Sequence, residues 1–451
     1  MKLEDIVGKE NVLTSKEERI CYSYDAQIEE ALPDAVVIPE NTEQISEILK
    51  LANREGIPVV PRGSGTGLSG GSVPVKGGIV LLLKKLNKII EIDRDNLLAV
   101  VEPGVVTGEL FNRVDELGLM YPPYPSSYKT STIGGNVATN AGGLRGLKYG
   151  VTKDYVLALE VVSPTGEILK TGSRTVKSVT GYDLTRLIVG SEGTLGIITS
   201  ITLKLLPKPE LMRSMFAVFD DITQAAKTVT QIVNAGVIPS TLEIMDNTTI
   251  NAVEDFKKIG MPKDADAVLI IETDGIKEAA EKEAERVMEI CKENGAISIK
   301  IAKGETERKN IWEARASALP ALARIRPTTI LEDATVPRSK ITEMITAVQE
   351  IAEKYQIKIG TFGHAGDGNL HPTILTDEKD AEEMERVENA IEEIFKKTLS
   401  LGGTLTGEHG IGVSKARFLK LETGDEALEI MKGIKRTIDP NNILNPGKIF
   451  S

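Results

Sequence analysis

Three histidines make up all the histidine of this 451-residue chain, and each falls inside one of two glycine-bracketed motifs. His364 and His371 lie in GHAGDGNLH, and His409 follows Glu408 in GEHGIG. A lone histidine is more often structural than a ligand. Imidazoles placed with a carboxylate form the donor set of a divalent metal centre. If Asp367 and Gly368 form a two-residue hairpin turn, then Gly366 faces Asn369, Ala365 faces Leu370, and His364 faces His371. The two imidazoles then stand roughly 5 Å apart at Cβ and can share one ion. Glu408 adds an oxygen ligand, giving a two-histidine, one-carboxylate set with open positions that suits zinc, manganese or ferrous iron. Side chains adjacent in sequence usually diverge, so His409 is expected to face a substrate, where a neutral imidazole serves as general base.

A second kind of chemistry sits earlier in the chain. PRGSGTGLSGG at 61–71 follows the strand-like IPVV, and its alternating Gly63, Gly65 and Gly67 can turn successive amides toward one oxyanion cluster. It is neither a Rossmann fingerprint, since no helix is expected to follow it, nor a P-loop. STIGGNVATNAGG at 131–143 and GSEGTLGIIT at 190–199 have the same small, backbone-rich character. Three such loops in one domain point to a large cofactor lying against the backbone.

These loops need a frame. From residue 51 to about 207, short β-branched runs alternate with glycine clusters, which reads as an α+β domain rich in strands and turns. After residue 207, long charged helical patterns alternate with strands, which suggests a layer of helices on one face of a sheet. We place the boundary at 205–210, with domains at 1–207 and 208–403 and a C-terminal segment, 404–451, that carries GEHGIG and returns to the first domain. The charge sum of 54 basic and 66 acidic residues is −12, with no basic run interleaved with aromatics, so a nucleic-acid surface has no support. Two distant cysteines, Cys21 and Cys291, fit a reducing compartment. No leader or membrane span is expected, which favours the cytoplasm.

The three loops, with GLRGLKYG after the second, resemble the FAD-binding domain of the vanillyl-alcohol oxidase and p-cresol methylhydroxylase superfamily. GHAGDGNLH and GEHGIG narrow the resemblance to FAD-linked D-lactate dehydrogenases, D-2-hydroxyglutarate dehydrogenases and the D subunit of glycolate oxidase. The resemblance implies an α+β fold: a PCMH-type FAD domain plus a cap whose antiparallel sheet is covered by helices. It implies that Pro61, Arg62, Gly63, Ser64, Gly65, Thr66, Gly67 and Ser69 wrap the pyrophosphate. Pro125, Ser126 and Ser127, with Thr132, Gly134, Gly135 and Asn136, line the isoalloxazine side, and Glu192, Gly193 and Ile197 hold the adenosine end. Gly142 and Gly143 let backbone approach the flavin, and Ala138 and Asn445 complete the expected contacts. With no histidine before residue 364 and no cysteine in the loops, FAD is expected to be noncovalent.

The implied reaction is oxidation of a D-2-hydroxy acid, His409 removing the hydroxyl proton as hydride leaves for flavin N5. Arg315, in IWEARAS, matches the family's Trp-x-x-Arg segment and is the expected clamp for the substrate carboxylate, ahead of Arg324, Arg326 and Lys415. Asn369 donates to the same carboxylate or stabilises the turn. Relatives that take a second carboxylate carry a basic residue where this chain has Leu331 and Glu332, so D-lactate or glycolate is favoured over 2-hydroxyglutarate. With no CxxC cluster, electrons must leave to a partner such as an electron-transfer flavoprotein or an iron–sulfur subunit. A metal-dependent hydrolase is the alternative from another class, and a noncatalytic subunit a third.

Overall fold

The computed structural model describes residues 2–450 and divides the chain into two compact units. The first comprises Met1–Gly142, Val151–Lys208 and Glu408–Ser451, and the second comprises Gly143–Gly150 and Pro209–Gly407. The C-terminal segment therefore leaves the second unit at Glu408 rather than at residue 404, and a short piece of the first stretch, 143–150, is counted with the second unit.

The first unit is built on two sheets and a small ribbon. Ala35–Val37, Ile79–Leu82 and Val59–Arg62 run parallel, and Val12–Leu13 adds an antiparallel edge. The helix Thr42–Glu55 covers them because its apolar residues recur at helical spacing, burying Ile45, Ile48, Leu49 and Ala52. Asn41 caps its start by accepting the Gln44 amide, and Gly56 ends it in the left-handed region at φ 66°. The other sheet is antiparallel, in the order Ile89–Asp93, Leu98–Val101, Ile197–Lys204, Val156–Val162, Ile168–Gly172. The C-terminal segment joins the first sheet: the Val59 amide donates to Ile443 O, and the Asn445 amide donates to Val59 O.

The second unit carries one eight-stranded antiparallel sheet. Its order is Ser298–Ile301, Leu211–Phe219, Ala267–Gly275, Thr241–Asp246, Lys358–His364, Asn369–Thr376, Thr328–Leu331, and Ala334–Thr335 also pairs with Asn369–Thr376. Lys277–Glu293, Ile222–Asn234, Ile341–Tyr355 and Ala381–Ser400 pack side by side as a helical row against it. Ala267–Gly275 is buried at all but its last position, so its side chains are covered on both faces, and its near-continuous apolar run replaces the alternation of a half-exposed strand.

Candidate functional site

In the second unit the site grows from neighbouring strands. Thr241–Asp246 pairs with Lys358–His364, bringing Met245 opposite Phe362 and Ile244 opposite Gly363. Asp246 fixes this pairing by accepting the amides of Thr249 and Thr361, and burial pushes its carboxyl up to about 6. Lys358–His364 continues into Asn369–Thr376 through the turn at 365–368.

The hairpin register differs from the sequence expectation. His364 pairs with Asn369, and His371 pairs with Phe362. The loop is four residues rather than two, because the Gly368 amide folds back onto His364 O while the Gly366 amide is drawn to Leu242 O. Residues 364, 362 and 371 still share one face, since side chains alternate with period two. The imidazoles of His364 and His371 consequently meet edge to face with centroids 5.0 Å apart.

Both rings are buried and have acidic neighbours. His364 Nδ1 lies 2.7 Å from Glu243 Oε1, and His371 Nδ1 lies 3.8 Å from Asp333 Oδ1. The other oxygen of Glu243 accepts from Arg315 Nε at 2.5 Å, and the Arg315 guanidinium rests over the Phe362 ring at 4.7 Å. Arg315 is thus a buried cation on the helix Glu305–Ala316. The same helix is locked to the sheet by Arg308 and Trp312, which both donate to Glu272. Asn369 is buried on the same strand as His371. Arg324 stacks on Phe256 and Arg326 pairs with Glu383, so both are committed elsewhere. Leu331 and Glu332 are buried beside this strand, the Glu332 amide donating to Pro372 O. Asp333 Oδ2 accepts both Thr406 Oγ1 and the Gly407 amide at 2.7 Å, which fixes the peptide immediately before Glu408.

The first unit brings together the three glycine loops. A Cβ at Gly63 would stand 2.3 Å from Thr132 Oγ1, and Ser64 Oγ donates to Thr130 O, so loops 61–71 and 131–143 lie side by side. Thr132 caps the short helix Ile133–Thr139 by accepting the Gly135 amide. Gly134 packs on Pro103, and Asn136 is buried and donates to Thr107 Oγ1. Pro125 is buried, with Ser126 exposed and Ser127 accepting two turn amides. Glu192 and Gly193 both adopt positive φ. A Cβ at Gly193 would meet Pro61 at 2.4 Å, which requires glycine there. The Glu192 amide donates to Ala138 O, joining the third loop to the second.

Several expected cofactor residues have side chains with other duties. Arg62 is buried against Tyr22 and Ser72. Ile197 belongs to the core with Leu49 and Ile79. Asn445 donates from Nδ2 to both Gly71 O and Glu192 O. The Glu192 carboxylate accepts the amides of Ile411 and Gly412 at 2.7 and 2.8 Å. Burial raises its carboxyl pKa, opposed by those two amides and by Lys448 and Lys415. These side chains are held largely within the protein, while Gly65, Thr66 and Gly67 remain partly accessible loop positions. The place of a side chain at Gly142 is taken by Glu408, whose Oε2 would lie 2.8 Å from a Cβ there. His409 is held by Ser69 Oγ, which donates to its carbonyl, and its Nε2 lies 4.0 Å from Glu408 Oε1, closer than divergent neighbours would be.

Residues 33–172 match the FAD binding domain family, and residues 208–449 match the family of FAD linked oxidases, C-terminal domain. Glycolate oxidase subunit GlcD of Bacillus subtilis is 54% identical over 451 residues, 100% of this chain and 96% of that protein. The D-lactate dehydrogenase of Anaerostipes hadrus is 39% identical over 93% of this chain and 90% of its own. The chain belongs to the FAD-linked oxidases. Of solved structures, p-cresol methylhydroxylase superposes with a TM-score of 0.80 at 20% identity, covering 99% of this chain and 95% of that one. For 4-ethylphenol oxidase from Gulosibacter chungangensis the TM-score is 0.81 at 19% identity, with the same coverage. The shared fold is the PCMH-type FAD fold expected from the glycine loops.

In this FAD-linked oxidase the loops fit the cofactor, since they lie side by side and are built of glycines and small residues that leave room for the close approach a pyrophosphate and a flat ring need. The hydrolase alternative falls, because the family accounts for the loop domain it left without a role. Sequence reasoning missed Glu243, an acid between Leu242 and Ile244 in the strand Thr241–Asp246, and Asp25, whose buried carboxyl lies near Arg62 and the 61–71 loop. For Glu243 the one signal available was a charge flanked by large apolar residues where alternation assigns it to solvent.

Proposed function

We propose that this FAD-linked oxidase oxidises a small D-2-hydroxy monocarboxylate, D-lactate first and glycolate as the alternative, to the 2-oxo acid. The observation that carries this reading is one buried cluster holding Arg315, His364 and His371: a cation for a carboxylate beside two imidazoles for a metal. The chemistry of that donor set fits zinc, manganese or ferrous iron, held by His364 and His371 with Glu408, the first carboxylate after the peptide that Asp333 anchors. When bound, FAD supplies the acceptor for the α-carbon hydride, and the metal supplies Lewis acidity at the hydroxyl.

The chain's own residues do the rest. Arg315, with Nε held by Glu243, turns the far edge of its guanidinium fork to the substrate carboxylate, and Asn369 donates to the same group. His409 takes the hydroxyl proton, its backbone held by Ser69. Noncovalent attachment of FAD is supported by the absence of histidine and cysteine from the loops. Leu331 and Glu332 offer no cation for a second carboxylate, which supports a monocarboxylate. The electrons pass to a protein acceptor such as an electron-transfer flavoprotein or an iron–sulfur subunit. Cys21 and Cys291 are free thiols, consistent with work in the reducing cytoplasm. No helix among the described residues is long and apolar enough to cross a membrane.

The test is an anaerobic visible spectrum of the FAD-loaded protein with D-lactate, L-lactate, glycolate and D-2-hydroxyglutarate added separately. Bleaching of the flavin bands by D-lactate or glycolate is expected. Bleaching by D-2-hydroxyglutarate alone would overturn the monocarboxylate assignment.

A further inference from the structure

Glu243 occupies the middle of the strand Thr241–Asp246 and is fully buried, yet no motif marks it. Its two oxygens divide between the two kinds of functional group in the second unit. Oε2 accepts from Arg315 Nε, and Oε1 faces His364 Nδ1 at 2.7 Å. We propose that Glu243 is the positioning residue of the site: one carboxylate sets the tautomer of a metal-ligating histidine and the orientation of the substrate-binding arginine. This inference rests on the metal and carboxylate roles proposed above for His364 and Arg315.

A carboxylate removed from water needs a countercharge and donors for its oxygens. Arg315 supplies the charge, because guanidinium stays protonated at every accessible pH, and it has no acceptor to offer. His364 therefore needs to contribute only a neutral Nδ1–H to the other oxygen. With the proton on Nδ1, the imidazole lone pair lies on Nε2, the form a metal requires. Strand pairing of Ile244 with Gly363 holds Glu243 and His364 in register, so the contact is built into the sheet. Arg315 is fixed from its other side by the Phe362 ring, which leaves its terminal nitrogens as a preorganised fork.

The chemistry of an amide separates this role from simple packing. In Glu243→Gln the amide oxygen must face Arg315, which can only donate, so the amide NH2 faces His364. The imidazole must then accept at Nδ1 and carry its proton on Nε2, the wrong tautomer for a ligand. Volume and strand are unchanged.

The experiment uses the full-length FAD-loaded protein labelled with 15N-histidine, whose three histidines give a resolvable set. In the chelator-treated wild type, His364 is expected to show Nδ1–H, and in Glu243→Gln it is expected to show Nε2–H. Zinc and manganese titrations of the folded variant should then show affinity lower by roughly 10- to 100-fold, and its melting temperature should fall as well, because Arg315 loses its buried countercharge. Wild-type His364 protonated on Nε2 would overturn the proposal even if the variant failed to fold, and so would equal metal affinity in a folded variant. A wild type that shows Nδ1–H but binds neither ion would instead refute the metal assignment and leave the tautomer control standing.

Discussion

Glu192 is the residue whose removal should be felt furthest from its own position. It sits at φ 53°, buried, and its carboxylate accepts the amides of Ile411 and Gly412, two and three residues after His409. Glu192→Ala leaves the buried Gly412 N–H and the part-buried Ile411 N–H without an acceptor, at roughly 1–3 kcal/mol each at most. Removing a buried carboxylate recovers part of that loss, since burial already opposes its ionisation. A net local cost of about 2–4 kcal/mol follows, and at 1.4 kcal/mol per decade this is a loss of protection of about 30- to 1,000-fold at those amides. Hydrogen exchange read by mass spectrometry on a peptide spanning 409–416 measures it directly. Flavin content and turnover should be compared in the same samples, because His409 leaves this loop and turnover should fall more than flavin content does. Glu192→Gly relieves the left-handed backbone and should still lose the same protection. Protection within threefold of wild type in both variants would show that the carboxylate does not hold the loop, and would return Glu192 to a purely cofactor-binding role.

His409→Ala should retain FAD and metal and lose on the order of 10²–10⁴ in turnover, the usual worth of a positioned general base; reduction by substrate at the wild-type rate in a stopped-flow trace would remove it from that role. Burial pushes the Lys448 ammonium down to about 8 from its ordinary 10.5, while its Nζ donates to Val73 O. Between those values the folded chain binds fewer protons than the unfolded chain, so this residue's contribution to stability rises with pH across that window. Below about 8 it carries its full cost of about 3 kcal/mol. Lys448→Met also leaves Val73 O without this donor and Glu192 without this countercharge, so what the linkage fixes is the trend: the stability of wild type relative to Lys448→Met should rise between about pH 8 and 10.5 in denaturant titrations. A difference that stays flat or moves the other way across that window contradicts the assignment.

What was legible in the sequence was whatever leaves a pattern along the chain. The glycine loops and GHAGDGNLH and GEHGIG are contiguous, so cofactor class and the His364–His371 pair are written along the chain. The pairing register of the hairpin could not. The Asp-Gly signal favours a two-residue turn, but the Gly366 amide is drawn to Leu242 O on a strand more than a hundred residues earlier, and this tertiary bond lengthens the loop. The imidazoles meet all the same, because diagonal neighbours on one face of a sheet lie within reach of ring-sized side chains.

Glu243 and Glu192 were harder for a related reason. Each is an acid whose meaning lies in its partners: Arg315 and His364 for one, the amides of Ile411 and Gly412 for the other. Sequence separations of 72 to 220 residues leave no spacing to read. A buried carboxylate does leave an indirect trace, since it survives inside an apolar strand only if something neutralises it. Glu243, in a strand, is tied to the groups expected to do chemistry through His364 and Arg315, and Glu192, buried in a turn, through the loop that begins at His409. A lone acid in an apolar run should thus be read as a demand for a partner, to be sought among the histidines and arginines of the motifs before being assigned to solvent.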